Sequence, residues 1–345
     1  MKVNENSNHQ KSPIVSMISN CLSINHRDLL RERNGYLSEG VLNPFEFSYN
    51  NIYGIVPLID IIPEELFSSS GMRKAKEYFI NAVENSIERG VKVILLAAST
   101  KRLFGNGSEL KTMFPNIVFT IGDNGTALAF LKQIDYVTKN ISVDSPVIVI
   151  GTGFLGETAI GFLKANGFLK VIIISRQNKN IYPNYSIHET LDDYINSTDF
   201  EGASLLLGCA HNHNIQLYQL KQLIREQLII IDVAVPKAVP FSITSLLDKN
   251  VSRFDGGDFE IKNLKLHFQP QLAGLNFEGE FYGCFTEALL LALSNYKGDN
   301  NFFKITENNM KLIQTLANDC YPDFGISMKN FGQPVSGFKE LLECV

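Results

Sequence analysis

The sequence offers little that would favour nucleic acid, disulfides or a membrane. It has 345 residues and no tryptophan, and its 31 lysines and arginines are outnumbered by 36 aspartates and glutamates, which gives a net charge of -5. Proteins that bind DNA or RNA usually carry a basic excess, so the charge argues against nucleic acid as the main partner. No apolar run approaches the ~18 residues of a membrane-spanning helix.

Cysteine is also sparse. The five cysteines, at positions 21, 209, 284, 320 and 344, are odd in number and include no CxxC pair. This spacing predicts free thiols in a reducing compartment rather than a set of disulfides. A signal peptide is not expected, because the weak apolar patch near the N-terminus is broken by serine, asparagine and cysteine. We therefore expect a soluble, cytoplasmic protein with no transmembrane segment.

What the sequence does contain is an alternation of strand-like and helix-like segments, which predicts an α/β fold. Residues 1–50 are rich in asparagine and serine and are expected to form an irregular N-terminal arm. We expect an α/β substrate domain over residues 51–140 and a doubly wound, Rossmann-type domain over residues 141–262. Residues 263–345 hold two helical stretches and are expected to form a C-terminal helical segment.

The clearest motif is VIVIGTGFLG, in which four apolar residues run into a GxGxxG pattern and then into a helical period. Such glycines let the backbone approach a pyrophosphate closely at the N-terminus of a helix. The alternative is a tight turn between a strand and a helix that holds no ligand. We predict a dinucleotide site made by Gly151, Thr152, Gly153, Phe154, Leu155 and Gly156.

The residues after the next strand indicate which dinucleotide binds. An NAD site usually places an acidic side chain there, where it binds the ribose 2′-hydroxyl. This chain instead has Ser175 and Arg176, and a guanidinium suits the additional 2′-phosphate of NADPH. The sequence therefore predicts NADPH as the cofactor, unless Arg176 is a solvated surface residue.

Two polar segments follow later strands of the same predicted sheet, at the edge where open α/β folds bind ligands. Cys209, His211 and His213 follow the strand ASLLLG, and either histidine is a candidate proton donor, with His211 preferred. Their spacing matches no familiar zinc motif, so we predict no metal site; an ordinary polar loop is the alternative. Asp232, followed by Lys237, either belongs to the site or caps its loop.

A further candidate is Cys284 in the segment FYGCFTEALLLAL. Gly283 is typical of a helix start, which would place the thiol at a helix N-terminus. There the helix dipole lowers a thiol pKa, and amide N–H groups can form an oxyanion hole. A lone cysteine before an apolar run is otherwise a small buried side chain. The residues alone leave both interpretations open.

Five segments between about residues 55 and 298 agree in order and spacing with a known family: PEELFSSSGMRKAKEYFINAVENSIERGVKVILLAAST, FTIGDNGTA, VIVIGTGFLG, IIDVAVPK and CFTEALLLAL. The chain resembles the long-chain acyl-ACP reductases of cyanobacteria (ACP, acyl carrier protein). This resemblance implies an N-terminal α/β substrate domain joined to an NADPH-binding Rossmann-type domain. It also implies reduction of fatty acyl thioesters of ACP or CoA to aldehydes, with Cys284 as the nucleophile of a CFxEA motif.

Three segments depart from the family pattern. The family tends to a GxxGxxG spacing, whereas the first glycine here stands one place later, at Gly151. The family's glycine-serine loop is replaced by AAST at 97–100, and its TGN segment reads GDN at 122–124. The acyl pocket is therefore expected to differ in shape.

An acidic carrier protein would need a basic patch that the net charge does not reveal. Arg73, Lys74 and Lys76 on one predicted helix are candidates, and Lys101 with Arg102 forms a second cluster. Solvated lysines and arginines on a helix face are the alternative interpretation.

Two other functions remain open. One is a shikimate-dehydrogenase-like, NADP-dependent oxidoreductase of a small hydroxy or amino acid, which would need no covalent intermediate and would suit the glycine spacing. The other is a non-catalytic protein that senses NADP(H).

Overall fold

The computed structural model describes residues 13–50, 52–176, 185–210, 215–235, 237–239, 243, 250–268, 279–320, 323–327, 329–330 and 333–334. These residues divide into two compact units. The first unit lies within Met1–Gly125 and Glu260–Gly325, and the second within Thr126–Phe259 and Ile326–Val345.

Helices and strands alternate along most of the chain. The described helices are α1 (Ile24–Asn34), α2 (Ser69–Glu88), α3 (Ser108–Met113), α4 (Asp123–Thr138), α5 (Phe154–Ala165), α6 (Leu191–Ile195), α7 (Leu217–Leu223), α8 (Gly283–Leu293) and α9 (Glu307–Thr315). Short 3-10 helices span Pro63–Phe67 and Ala98–Arg102, and a π-helical turn spans Leu316–Cys320.

The described strands are β1 (Val15–Asn20), β2 (Tyr36–Ser38), β3 (Val41–Tyr49), β4 (Ile52–Ile59), β5 (Val93–Leu96), β6 (Val118–Thr120), β7 (Val147–Ile150), β8 (Val171–Ile174), β9 (Ser186–His188), β10 (Ala203–Gly208), β11 (Ile224–Asp232), β12 (Val251–Asp255), β13 (Asp258–Ile261), β14 (Leu264–Leu266), β15 (Glu280–Tyr282), β16 (Phe324–Ile326), β17 (Lys329–Asn330) and β18 (Gln333–Pro334).

The first unit is built around a mixed sheet with the order β14-β3-β4-β1-β5-β6, and β2 pairs with β3 at one side. Strands β4, β1, β5 and β6 run parallel, whereas β3 runs antiparallel to β4. Every residue of β1 and β5 is buried, as expected for parallel strands covered on both faces. Phe79 and Val83 of α2 pack against Ile18 and Ile94, and α8 also contacts β1 and β5.

The N-terminal arm predicted for residues 1–50 is wrong over the described residues from 13 onward. These residues form β1, α1, β2 and β3, and β1 lies at the centre of the parallel part of the sheet. The segment VSMISN has a weak apolar pattern because it contains serine and asparagine. In the folded chain the Ser86 hydroxyl donates a hydrogen bond to the buried Ser16, and Asn20 Oδ1 accepts one from the amide of Ser99. Those bonds satisfy the polar groups that obscure this strand in the sequence.

The second unit contains a six-stranded parallel sheet with the order β12-β11-β10-β7-β8-β9. This is the strand order of a doubly wound, Rossmann-type sheet, so the predicted α/β fold class is confirmed. From β7 the strands are added towards one edge of the sheet up to β9, and from β10 they are added towards the other edge. The point between β7 and β10 is the switch point, where ligands bind in open α/β folds. The glycine motif follows β7 directly.

The limits of the two units differ from the predicted domain limits. The second unit was expected to begin near residue 141, but it begins at Thr126 and includes most of α4. The reason is packing: Phe130 and Ile134 of α4 belong to the same buried cluster as Val147 and Val149 of β7. The segment expected to be helical after residue 263 also contains strands β14 and β15. No helix among the described residues is long and apolar enough to cross a membrane.

Candidate active site

The glycine motif forms the turn between β7 and α5 in the second unit. Gly151 has a φ of 92°, a left-handed conformation that favours glycine, and a Cβ there would collide with the side chain of Ala210. A Cβ on Gly156 would collide with the carbonyl oxygen of Gly151. These two glycines therefore make the tight turn and allow α5 to pack closely on the strand.

Gly153 has a different role. It is the N-cap of α5, its φ is -72°, and no atom lies within 4 Å of the place where a Cβ would stand. Open space at a helix N-terminus is where the backbone of a Rossmann turn meets a pyrophosphate. The three glycines thus take the three parts that a dinucleotide-binding turn requires, and the residues fit such a ligand.

The other predicted cofactor residues surround this turn. The hydroxyl groups of Thr152 and Ser175, both buried, lie 2.8 Å apart in a hydrogen bond that joins the glycine turn to the end of β8. Arg176 follows Ser175 and is exposed. Phe154 is exposed as well, whereas Leu155 packs against the core of the unit. Arg176, whose guanidinium is predicted to bind the ribose 2′-phosphate, therefore comes directly after a residue that is hydrogen-bonded to the glycine turn.

Cys209 follows β10, the strand that flanks the switch point opposite β7 and its glycine turn. Burial, and to a smaller extent the charge of Asp232, raises the pKa of its thiol, so the thiol stays protonated. Such a thiol is a poor nucleophile. His211 and His213 lie outside the described residues. Among the described residues, no group of three or more histidine, cysteine, aspartate or glutamate side chains is placed to hold a metal ion.

Asp232 caps its own loop. Its carboxylate is fully buried and accepts hydrogen bonds from the amides of Ala234 at 3.1 Å and Val239 at 2.7 Å. Lys237 donates to the Asp232 carbonyl oxygen at 2.9 Å and pairs with Asp255 at 3.1 Å. Of the two interpretations that the sequence left open, this geometry favours the capping one.

Cys284 lies at the second position of α8 in the first unit and is partly exposed. Tyr282, the N-cap residue, supplies no side-chain hydrogen bond to the helix. The partial positive charge of the helix N-terminus therefore acts beside the thiol. Gly122, whose φ is 73°, packs on this residue so closely that a Cβ would collide with the Cβ and Cα of Cys284.

Glu287, one turn after Cys284, was not predicted as a site residue. It is fully buried, and its carboxylate accepts hydrogen bonds from the Thr120 hydroxyl at 2.5 Å and the Gly125 amide at 2.6 Å. The Thr120 hydroxyl in turn accepts one from the Gly122 amide at 2.8 Å. The sequence held one signal for it: an acidic residue inside the apolar run CFTEALLLAL.

The electrostatics of Glu287 follow from this position. Burial raises the pKa of its carboxyl group from 4.5 to about 7, although the hydrogen bonds from Thr120 and Gly125 act in the opposite direction. The charge of nearby Asp123 also raises the pKa. Glu287 therefore changes its protonation state near neutral pH.

Lys101 provides the positive charge of this site. Its ammonium group lies 2.5 Å from the carboxylate of Asp123. Burial lowers the pKa of Lys101, but the charges of Asp123, Cys284 and Glu287 raise it by more, so the net shift is upward and the ammonium stays charged. This interaction is mutual, so the ammonium favours a negatively charged sulfur at Cys284.

The site lies at the carboxyl ends of parallel strands. Asn20 ends β1, the turn at 97–100 follows β5, and Gly122 follows β6. Ala98 in that turn has a φ of 50°, a conformation that costs a non-glycine residue free energy and occurs more often at functional sites than elsewhere. Gly122, after β6, packs on Cys284, and Lys101, after β5, interacts with it electrostatically, so the start of α8 lies at the strand edge where α/β folds bind ligands.

The predicted basic clusters are only partly on the surface. Lys101 is engaged with Asp123, so it does not contribute a solvated charge to a carrier patch, while Arg102 is exposed. Lys76 pairs with Glu109 at 2.8 Å. Arg73 and Lys74 are exposed, and the ammonium group of Lys74 lies 5.3 Å from the centre of the Tyr78 ring.

No protein-family model matches the chain. A glutamyl-tRNA reductase of Caldivirga maquilingensis is 25% identical over 162 residues, which are 46% of this chain and 39% of that protein. The chain thus matches less than half of the length of this relative.

Two solved structures show similarity of fold. The L-tryptophan dehydrogenase of Nostoc punctiforme is 12% identical with a TM-score of 0.44, over 90% of this chain and 82% of that chain. A shikimate dehydrogenase of Peptoclostridium difficile is 11% identical with a TM-score of 0.38, over 87% of this chain and 98% of that chain. Each of the three similar proteins is an oxidoreductase by name.

The buried carboxyl group of Glu287 predicts a pH-dependent stability. Because its pKa is raised from 4.5 to about 7 in the fold, the protonated side chain stabilises the fold fully below pH 4.5, and this stabilisation is lost as the pH rises through 7. We expect the free energy of unfolding, measured with urea, to fall by up to about 3 kcal/mol more in the wild type than in Glu287→Gln between pH 4.5 and 8.

The exposed Glu109 provides the control, because Glu109→Gln should keep the pH dependence of the wild type. Parallel pH dependences in the wild type and Glu287→Gln would contradict the raised pKa.

Proposed function

We propose that this chain is an NADPH-dependent reductase that takes an acyl group from a thioester onto Cys284 and releases it as an aldehyde. The observation that carries the proposal is the placement of Cys284 at the N-terminus of α8, where its charge and that of the Lys101 ammonium act on each other. A helix dipole and a nearby cation are the two features that convert a thiol into a nucleophilic thiolate.

Cys209 offers a contrast within the same chain. Its pKa is raised by burial and by the negative charge of Asp232, so its surroundings favour the protonated thiol. Cys284, in contrast, interacts electrostatically with the Lys101 ammonium. This difference supports the assignment of the nucleophile that the family resemblance implies.

The glycine turn in the second unit would hold the cofactor. Gly153 and the first turn of α5 would bind the pyrophosphate, and Arg176 would bind the 2′-phosphate that distinguishes NADPH from NADH. When bound, NADPH would supply a hydride ion.

The acyl transfer can be written with the residues of the first unit. The Cys284 thiolate attacks the thioester carbonyl, a bond forms between its sulfur and the acyl carbon, and the bond to the carrier sulfur breaks. The carrier thiolate leaves and takes a proton from water. Amide N–H groups at the N-terminus of α8 would stabilise the negative charge that develops on the carbonyl oxygen.

The second half of the reaction restores the thiol. Addition of a hydride to the acyl carbon reduces it by two electrons and leaves a negatively charged oxygen on a carbon that is still bonded to Cys284. The carbon–sulfur bond then breaks, its electron pair returns to Cys284, and the aldehyde is released. The Lys101 ammonium favours this step because it stabilises the departing thiolate. His211 remains our candidate for a proton donor: a proton given to the oxygen would form a hemithioacetal, and its return to the histidine would accompany the release of the aldehyde.

The sequence relative agrees with this chemistry. Glutamyl-tRNA, the substrate in that protein's name, is an acyl ester, and its reduction, like that of a thioester, acts on an activated acyl carbon. The alternative of a dehydrogenase acting on a small hydroxy or keto acid rests on the glycine turn, which would serve it equally well. Only the acyl reductase uses Cys284.

The nucleophile is tested by intact-mass spectrometry after incubation with octanoyl-CoA or palmitoyl-CoA in the absence of NADPH. We expect one acyl adduct on Cys284, which is released as aldehyde when NADPH is added. Cys284→Ala should abolish the adduct and lower aldehyde formation by at least about a hundredfold, while NADPH binding persists.

Cys209→Ala is the matched control and should keep both the adduct and the aldehyde. An adduct that persists in Cys284→Ala but is lost in Cys209→Ala would contradict the assignment. If neither thiol acylates while the protein oxidises NADPH with a small keto acid, the dehydrogenase alternative replaces the acyl reductase.

The cofactor turn is tested by Gly153→Ala. A methyl group fits at Gly153 without a collision, so the melting temperature should not fall, but the methyl occupies the space through which a pyrophosphate approaches. We expect the Kd for NADPH to rise at least tenfold, about 1.4 kcal/mol. Gly161→Ala on the same helix, where a Cβ also meets no atom within 4 Å, should leave the Kd unchanged. An unaltered Kd in Gly153→Ala would be the opposing result.

Arg176→Asp tests the choice of cofactor. The wild type should bind NADPH at least about tenfold more tightly than NADH, because the guanidinium pairs with the 2′-phosphate. The carboxylate in the variant should erase or reverse this preference in a fluorescence titration with both nucleotides. Equal affinities in the wild type would exclude the role given to Arg176.

A further inference from the structure

Three anionic or potentially anionic groups share one cation in the first unit. Asp123 pairs directly with Lys101, and the charges of Cys284 and Glu287 both act on the same ammonium. If all three acids were ionised, the cluster would carry a net charge of two negative units. A partly buried group of this kind favours a state in which one of the acids keeps its proton.

Glu287 is also the mechanical link between this cluster and the thiol. Its two carboxylate oxygens accept hydrogen bonds from Thr120, at the end of β6, and from Gly125, in the first turn of α4. Between these two anchors lies Gly122, which packs directly on Cys284. A Cβ on Gly125 would collide with the carbonyl oxygen of Gly283. The turn is thus held against the start of α8.

We propose that Glu287 is a positioning residue for Cys284: its carboxyl group holds the turn 122–125 against the N-terminus of α8, and loss of its proton makes the thiol less reactive. This inference rests on the proposed use of Cys284 as the nucleophile. An ionised Glu287 competes with the thiolate for the charge of Lys101, whereas a protonated Glu287 leaves that charge to the sulfur.

Among the described residues, the charged groups that act on Glu287 come from two neighbouring elements. Asp123 acts on it from α4, and Lys101, in the short helix after β5, interacts with Glu287 and also with Cys284, which lies on the same helix as Glu287. Strands β1 and β5, which pack against α8, contain no ionisable side chain. Of the other elements that pack against α8, β15 carries Glu280, and α9 carries Glu307 in a pair with Lys311.

The test is the rate at which iodoacetamide alkylates Cys284 between pH 5.5 and 9, followed by peptide mapping so that each thiol is measured separately. In the wild type the rate should show, besides the titration of the thiol, a second inflection near the pH at which Glu287 loses its proton. In Glu287→Gln this inflection should disappear, and the rate at pH 8 should rise by about three- to tenfold.

Thr120→Val provides a second variant that keeps the carboxyl group. It removes the hydroxyl that donates to Glu287, so the proton should be held to higher pH and the inflection should move upward. If Glu287→Gln does not fold, Thr120→Val still tests whether the protonation of Glu287 controls the reactivity of Cys284. Asp232→Asn is the matched control, since it neutralises another fully buried carboxylate that accepts two amide hydrogen bonds. It should leave the profile unchanged.

A profile that keeps its inflection in Glu287→Gln, or that changes by the same factor at every pH, would overturn the proposal, because a purely structural role predicts a uniform change. An inflection that stays in place in Thr120→Val would also count against it. The alkylation needs neither thioester nor NADPH. If the alkylation behaves as expected while acyl-CoA leaves no adduct, the proposed reaction fails and the role of Glu287 stands. If acyl-CoA acylates Cys284 but the alkylation profile does not depend on Glu287, the role of Glu287 fails and the proposed reaction stands.

Discussion

The first unit depends on the need to satisfy a carboxyl group that is buried inside an apolar helix. An unpaired polar group in such a place costs several kcal/mol, and the hydrogen bonds that Thr120 and Gly125 donate to Glu287 offset this cost. Those two bonds join the end of β6 and the first turn of α4 to α8. The turn between them packs so closely on α8 that a Cβ at position 122 or 125 would collide with Cys284 or with the Gly283 carbonyl oxygen. The position of the Cys284 thiol follows from these contacts.

The parts that could be predicted from the sequence are those with local causes. The turn at 151–156 was predictable because the apolar strand, the glycine spacing and the helical period that follows lie in one short segment, and the parallel strands were predictable because they are continuous apolar runs. Strand β1 and the role of Glu287 were missed because their causes are distant in sequence. Ser16 is satisfied by Ser86, and Glu287 by Thr120, which is 167 residues away. No single segment contains those pairings.

In the proposed reaction, each unit supplies a different part of the chemistry. The second unit offers a turn whose geometry fits a dinucleotide, and it holds a cysteine that burial and Asp232 keep protonated. The first unit offers a thiol beside a helix N-terminus and an ammonium group. The two sulfurs therefore have different surroundings: burial and a negative charge keep one protonated, whereas a cation and a helix N-terminus favour the thiolate that we propose for the other.

The central claim is that an acyl group on Cys284 is reduced by hydride from NADPH. It is tested most directly in a single turnover of the acylated protein with NADPH that carries two deuterium atoms at C4 of the nicotinamide. The account predicts an aldehyde with one deuterium at its carbonyl carbon and a Cys284 peptide that returns to its unmodified mass. An aldehyde without deuterium, or oxidation of NADPH while Cys284 stays acylated, would contradict it.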